Sequence, residues 1–273
     1  MEKLIVYQKA LIKEERWDFD FHEPPTLIKQ FQGASLKKVS EVASVVKAKK
    51  DPTKRPEELF QYIDIASVDI ETGEVSRNQE LTGAEAPSRA RKLVQAYDII
   101  ISTCRPTRKA IAVVPKELHG QICSTGFSVI RANEKINPLY LHFALRLNST
   151  IEQFRKFSTG SSYPAILDSD VEKTLIPVPD IEIQNEIVKR IKISLLDRKR
   201  IIEQINKQWE DTISFTVSEI SALKFDFGTT PKVADEFIWD KKQIDDEINS
   251  LPKLTVEEII DDDQIELELE DEN

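Results

Sequence analysis

The stretch Ile176-Pro177-Val178-Pro179-Asp180-Ile181-Glu182-Ile183-Gln184-Asn185-Glu186-Ile187-Val188 separates two kinds of structure in this 273-residue chain. Upstream, Thr174 to Val178 reads as a strand that stops at Pro179, where the ladder loses its N–H donor. Downstream the pattern is helical from Ile183 to about Leu223. Val188, Ile191, Leu195, Ile202, Ile205 and Trp209 recur at steps of three, four, seven, three and four, with Arg198 at the seam position between Leu195 and Ile202. That is a heptad seam interrupted once. A helix of ~40 residues spans about 60 Å, further than one compact domain of this size covers. The seam is therefore expected to meet a second helix, in another copy or in a partner.

Working outward, the residues before this junction read as an α+β domain. Leu36, Val39, Val42 and Val45 support a short helix or strand between Ser35 and Val46. Phe60 to Val68 is β-like and runs to the turn signal Glu71-Thr72-Gly73. Ile99 to Thr103 and Ala110 to Val114 read as strands joined by the basic connection Cys104 to Lys109, and Gly126 to Arg131 as a further strand. Asn137-Pro138 caps one helix whose apolar face is Leu139, Tyr140, Phe143, Leu147, Ile151 and Phe154, ending at the small-residue loop Ser158 to Ser162. The N-terminal Arg16-Trp17-Asp18-Phe19-Asp20-Phe21-His22 with Pro24-Pro25 reads as an extended lead-in. The expected order is lead-in (1–34), α+β globular domain (35–180), long helix (181–224) and acidic, partly disordered tail (225–273).

Charge follows this division. The chain has a formal net charge of −10, but Asp226 to Asn273 holds 17 acidic and 4 basic residues. The other 225 residues, with 34 basic and 31 acidic, are mildly positive at +3. A whole-chain isoelectric point would mislead about partners. Met1 to Ala10 has no signal-peptide character, and no apolar run reaches the roughly 20 residues of a membrane helix. Cys104 and Cys123 are too few for a disulfide framework or a zinc site. The expectation is a reduced, cytoplasmic protein.

The sequence offers little to an enzyme. Its seven glycines are scattered, with no G-x-G turn and no Walker A motif, so neither a nucleotide nor S-adenosylmethionine has a recognisable cradle. Asn137-Pro138-Leu139-Tyr140 is similar to the N-P-P-Y loop of amino-methyltransferases but lacks its second proline. Asp180 and Glu182 have a spacing faintly like a metal-dependent nuclease. At the start of a helix, however, the helix dipole accounts for both. His22, His119 and His142 lie far apart, and His142 falls within the amphipathic helix as a structural residue. No catalytic residue, metal or cofactor is expected.

Basic loops are the more informative feature. Thr103, Arg105, Thr107, Arg108 and Lys109 lie on a strand-to-strand connection. Lys47, Lys49, Lys50, Lys54 and Arg55 form a second stretch, and Arg89, Arg91 and Lys92 a third. An arginine fork pairs bidentately with guanine or with phosphate, and loop cations neutralise backbone charge.

From about Leu36 to Ile191 the chain resembles the target recognition domain of type I restriction–modification specificity subunits. Gln61-Tyr62-Ile63-Asp64-Ile65-Ala66-Ser67-Val68 is similar to the family's early strand. Ala96-Tyr97-Asp98-Ile99-Ile100-Ile101-Ser102 resembles its G-D-I strand, with Tyr97 where glycine is usual. Ser124 to Arg131 and Asn137 to Leu141 match the next strand and helix start. The most specific resemblance is Gly160-Ser161-Ser162-Tyr163-Pro164-Ala165-Ile166, then Ile176-Pro177-Val178-Pro179, then Ile183-Gln184-Asn185-Glu186-Ile187. These are similar to the family's glycine loop, I-P-x-P strand and E-Q-x-x-I helix start, with Ile183 replacing the glutamate.

The resemblance implies a non-catalytic subunit that binds double-stranded DNA and directs a separate adenine methyltransferase, with or without a restriction subunit, to a bipartite target. Full-length members carry two recognition domains and two long helices. This chain has room for one of each, so it is expected to act as a half-subunit that pairs with itself through the long helix. The expected groove contacts are Thr103, Arg105, Thr107, Arg108, Lys109, Ser161, Ser162 and Tyr163. Phosphate contacts are expected from Lys49, Lys50, Lys54, Arg55, Arg89 and Arg91, and helix contacts from Val188, Ile191, Leu195, Ile202, Ile205 and Trp209. Two alternatives stay open: an interaction protein of the same fold whose tail masks its basic loops, and a detached part of a restriction–methylation enzyme.

Overall fold

The computed structural model describes residues 27–31, 35–160 and 163–222. The expected lead-in as far as Thr26, Ser161 and Ser162, and the acidic tail lie outside the described residues. The chain divides into two units, Met1–Glu203 and Gln204–Asn273.

In the first unit, β1 (Leu36–Lys38), α1 (Val39–Val42) and β2 (Ala43–Val45) follow a short 3-10 helix at Leu27–Phe31. Next come β3 (Leu59–Ile63), β4 (Gln79–Thr82), β5 (Ala90–Leu93), β6 (Ile99–Ser102), β7 (Ile111–Val113), β8 (Ile122–Ser124) and β9 (Phe127–Ala132). Three helices complete the body with one strand: α2 (Pro138–Leu145), α3 (Asn148–Phe157), α4 (Asp168–Lys173) and then β10 (Leu175–Pro177). The long helix α5 runs from Ile181 to Ala222. The segment from Leu36 to Val45, expected as helix or strand, is thus strand, one helical turn and strand. Val39 and Val42 of that turn are buried.

Two four-stranded sheets carry the body, in the orders β2-β9-β6-β7 and β4-β3-β8-β5. All pairs are antiparallel except β3 with β8. The run Ile99-Ile100-Ile101 explains how the layers stack. All three side chains are fully buried, Ile99 and Ile101 among the helices and Ile100 against the second sheet. Successive strand side chains point to opposite faces, so a central strand covered on both sides needs a continuous apolar run. Val129 and Ile130 of β9 divide in the same way.

The single helix expected from Pro138 to the loop at Ser158 is two. At Leu147 the backbone turns extended (φ −60°, ψ 145°), and Asn148-Ser149-Thr150 start α3. Such residues favour helix starts because their side chains compete for backbone groups. Thr150 Oγ1 donates to the Ala144 carbonyl at 2.8 Å, satisfying an acceptor at the end of α2. The break lets Leu141, Leu145 and Phe154 enter one core.

The ends of the domain meet. β1 pairs with β10, Leu36 opposite Pro177, and the motif residues then lock α2 to the start of α5. Buried Gln184 donates from Nε2 to the Pro179 carbonyl (2.8 Å) and accepts at Oε1 from the Asn137 amide (2.9 Å). Asn137 Nδ2 donates to Asn185 Oδ1 at 2.9 Å, while its own oxygen caps α2. Tyr140 donates its hydroxyl to the Pro177 carbonyl at 3.0 Å, and burial pushes its pKa up to about 12. Asn137, Tyr140, Pro177, Pro179 and Gln184 therefore share one structural task.

Candidate nucleic-acid interface

Backbone hydrogen bonds bring the three basic stretches side by side. Thr103 donates to the Gly126 carbonyl from its amide and its hydroxyl, each at 2.9 Å. In the same turn, the Thr125 amide donates to the Arg89 carbonyl at 2.9 Å. Lys50 continues the series by donating its amide to the Arg91 carbonyl at 3.0 Å, and Lys49 forms a bridge with Lys92. On the far side, the Ile166 amide donates to Thr103 (2.9 Å) and the Arg105 amide to Pro164 (2.7 Å). The result is one ribbon of backbone running through Pro164–Ile166, Thr103–Arg105, Thr125–Gly126, Arg89–Arg91 and Lys49–Lys50.

The side chains along this ribbon differ in how far they are already engaged. Arg55 pairs with Glu58 at 3.0 Å and Lys50 with the same carboxylate at 3.5 Å. These contacts hold Glu58 below the usual carboxylate range, the Arg55 hydrogen bond most of all. Arg91 donates to the Ala90 carbonyl at 2.8 Å and lies 3.6 Å from Asp51, whose pKa is lowered first by the Thr53 hydroxyl. The Arg55–Glu58 pair is exposed and the Arg91–Asp51 pair half-buried, and surface ion pairs are worth little. Lys49, Lys54, Arg89, Thr107 and Arg108 are exposed; Lys54 helps to lower the Asp51 pKa by its charge, and Lys49, Arg89 and Arg108 have no carboxylate partner among the described residues.

Two residues expected to touch the groove are used internally. The Thr103 hydroxyl is spent on Gly126, so Thr103 is a strut of the ribbon. Lys109 donates its ammonium to Asn148 Oδ1 at 2.7 Å, at the start of α3. Arg105 lies over the Tyr163 ring, 4.7 Å from its centroid, and Tyr163 is 65% exposed. Arg77 escaped the sequence reading because it is an isolated cation. It lines a surface concavity with Arg108, Ser76 and Ile65.

Backbone strain concentrates in the same connection. Arg105 and Lys109, at φ 48° and φ 60°, flank the 3-10 turn Pro106–Arg108 in the left-handed region. Non-glycine residues there cost roughly 1–2 kcal/mol each, a cost that binding loops often carry. Tyr97, before β6, is a third non-glycine residue in the left-handed region, at φ 67°.

The helix seam is divided in its exposure. Val188 is buried in the core, so it packs on its own domain and is unavailable to a partner helix. Ile191 and Leu195, half-buried, line a concavity with Gly73, His142, Phe143 and Arg146. Ile202 is 42% exposed, and in the second unit Ile205 and Trp209 are 57% and 65% exposed. Among the described residues, no cluster of three or more His, Cys, Asp or Glu side chains is placed to hold a metal ion, and no helix is long and apolar enough to cross a membrane.

Comparison with known proteins gives this arrangement its context. The family described as "Type I restriction modification DNA specificity domain" matches residues 33–210. The type I restriction enzyme HindI specificity subunit of Haemophilus influenzae is 27% identical over 195 residues, 60% of this chain and 42% of that protein. The crystal structure of the HsdS subunit from Thermoanaerobacter tengcongensis superposes with a TM-score of 0.56 at 37% identity, covering 73% of this chain and 51% of that one. A chain from a study of complex assembly and conformational transition of the type I R-M system gives the same values. This chain thus spans about half the length of the relatives it matches. With the family match extending from before β1 into the long helix, and a solved specificity subunit sharing the fold at 37% identity, the chain belongs to the type I restriction–modification DNA specificity subunits.

Proposed function

We propose that this chain binds double-stranded DNA at a short, specific sequence and directs a separate adenine methyltransferase subunit there, in the cytoplasm and without catalysis of its own. The observation that carries the proposal is the joining of three basic loops into one ribbon in a member of a DNA specificity family. The exposed cations Lys49, Lys54 and Arg89 suit sequence-independent phosphate contacts, and Lys50, Arg55 and Arg91 join them once their weak pairs exchange. Arg105, Thr107, Arg108 and Tyr163, with Ser161 and Ser162, suit the base edges. The exposed helix residues Ile202, Ile205 and Trp209 suit a partner helix, either in a second copy or in another specificity chain. Pairing two such domains would give a bipartite target, with half-sites related by two-fold symmetry when the partner is a copy.

The test is co-expression with the neighbouring methyltransferase, followed by sequencing of methylated adenines in host DNA. One bipartite motif that disappears when this chain is omitted is the expected result. Methylation unchanged by its omission would refute the proposal and favour an interaction protein of the same fold.

A further inference from the structure

We infer that Arg105 is the guanine-reading residue of this interface and that Tyr163 is its positioning residue. The inference rests on the DNA-reading role proposed above and specifies which side chain selects which base.

Arg105 differs from the other cations of the ribbon in what its side chain touches. Lys50 and Arg55 face Glu58, Arg91 faces Asp51, and Lys109 is bound to Asn148. Arg105 has no carboxylate or carbonyl partner for its guanidinium among the described residues. Its contact is instead the π-face of Tyr163, 4.7 Å away. Stacking fixes the plane of a guanidinium while leaving its edge N–H groups free, and those groups match O6 and N7 of guanine bidentately.

The backbone beneath it is fixed as well. The Arg105 amide donates to Pro164 at 2.7 Å, Cys104 bridges Ala165, and buried Pro106 follows. Tyr163 precedes Pro164, so the ring and the guanidinium are set by the same pair of backbone segments. Arg105 also occupies a strained left-handed conformation (φ 48°), which persists only when its surroundings impose it. Arg108, exposed at the end of the same turn, has no ring contact among the described residues and suits a phosphate or a second, less oriented contact. A lysine at 105 would keep the charge but lose the fork.

The test uses the complex of the full chain with its methyltransferase and a duplex carrying the methylated motif. Each guanine in turn is replaced by 7-deazaguanine, which lacks the N7 acceptor, and by adenine. Wild type should lose about 10- to 100-fold in affinity for adenine at one guanine, and a smaller factor for the deaza base. Arg105→Gly keeps the left-handed backbone permissible and should bind both bases at that position equally, with other positions still discriminated. Tyr163→Leu should weaken the same guanine preference, and Tyr163→Phe should restore it.

Equal loss by Arg105→Gly on all duplexes, with a shallower salt dependence, would make Arg105 a phosphate contact and overturn the inference. So would retained discrimination at every guanine. If the wild-type complex shows no sequence preference, the proposed function fails instead, a result distinct from either.

Discussion

His142 offers a measurement of how tightly the recognition domain is closed around its helices. It lies on α2 with Nε2 3.3 Å from the Ile111 carbonyl oxygen and Arg146 one turn further along. A Cβ at Gly73, which has φ +74°, would come within 2.4 Å of the same nitrogen. Burial pushes the imidazole pKa from 6.5 down to about 4, the charge of Arg146 adds to the depression, and only the Ile111 carbonyl opposes it. Between these two values the unfolded chain binds a proton that the folded domain refuses. Stability is therefore complete above about pH 6.5 and declines as the pH falls towards 4. Full depression corresponds to ~3 kcal/mol, of which about 2 kcal/mol is lost by about pH 5. Urea unfolding of wild type and His142→Gln at about pH 7.5 and about pH 5 tests this. The wild-type midpoint should fall by the order of 1 M more than that of the variant. An identical pH dependence in the two proteins would refute the reasoning.

The Asp98–Arg131 pair predicts an asymmetry. Asp98 is 1% exposed and accepts from Arg131 at 2.7 and 2.8 Å and from the Gln95 amide at 2.8 Å. Arg131→Ala, which strands a buried carboxylate, should cost about 3–5 kcal/mol. Asp98→Asn keeps an acceptor for Gln95 and should cost about 1–3 kcal/mol; the opposite order in denaturation midpoints would show the carboxylate to be hydrated. Tyr97→Gly should stabilise by about 0.5–1 kcal/mol, because relief of the left-handed strain exceeds the added unfolded-chain entropy. A loss of thermal stability would mean that the Tyr97 side chain packs more than its 40% exposure indicates. For the thiols, half-buried Cys104 should react with a maleimide in the native protein. Cys123, buried and with its pKa pushed up to about 12 chiefly by burial, should react only on unfolding; comparable native rates would contradict its burial.

Most of the central sheet and the long helix were legible because their patterns are local. Ile99-Ile100-Ile101 reads as a strand, and the periodicity after Pro179 reads as the helix now bounded at Ile181–Ala222. β4 escaped because Gln79-Glu80-Leu81-Thr82 is an edge strand with little buried on either face. β5 and β8 escaped for other reasons: β5 carries Arg91 and Lys92 among its four residues, and β8 has only three. The division of α2 from α3 was hidden because apolar spacing continues across Leu147, while the break depends on which core each side chain enters.

By itself, the sequence determined the strand-to-helix junction at Pro179, the separation of a mildly basic body from an acidic tail, and the residue types able to hold phosphate or read a base. Only the tertiary structure decided which of those residues share a surface and which are already occupied. Thr103 with Gly126, Arg89 with Thr125, and Lys50 with Arg91 are distant in the chain and meet through backbone hydrogen bonds. Lys109 against Asn148 and Val188 in the core are likewise settled by neighbours from other elements. The physical reason is that composition and periodicity report each segment's own preference. Adjacency, burial and the pairing of a charge come from long-range contacts that no single segment encodes.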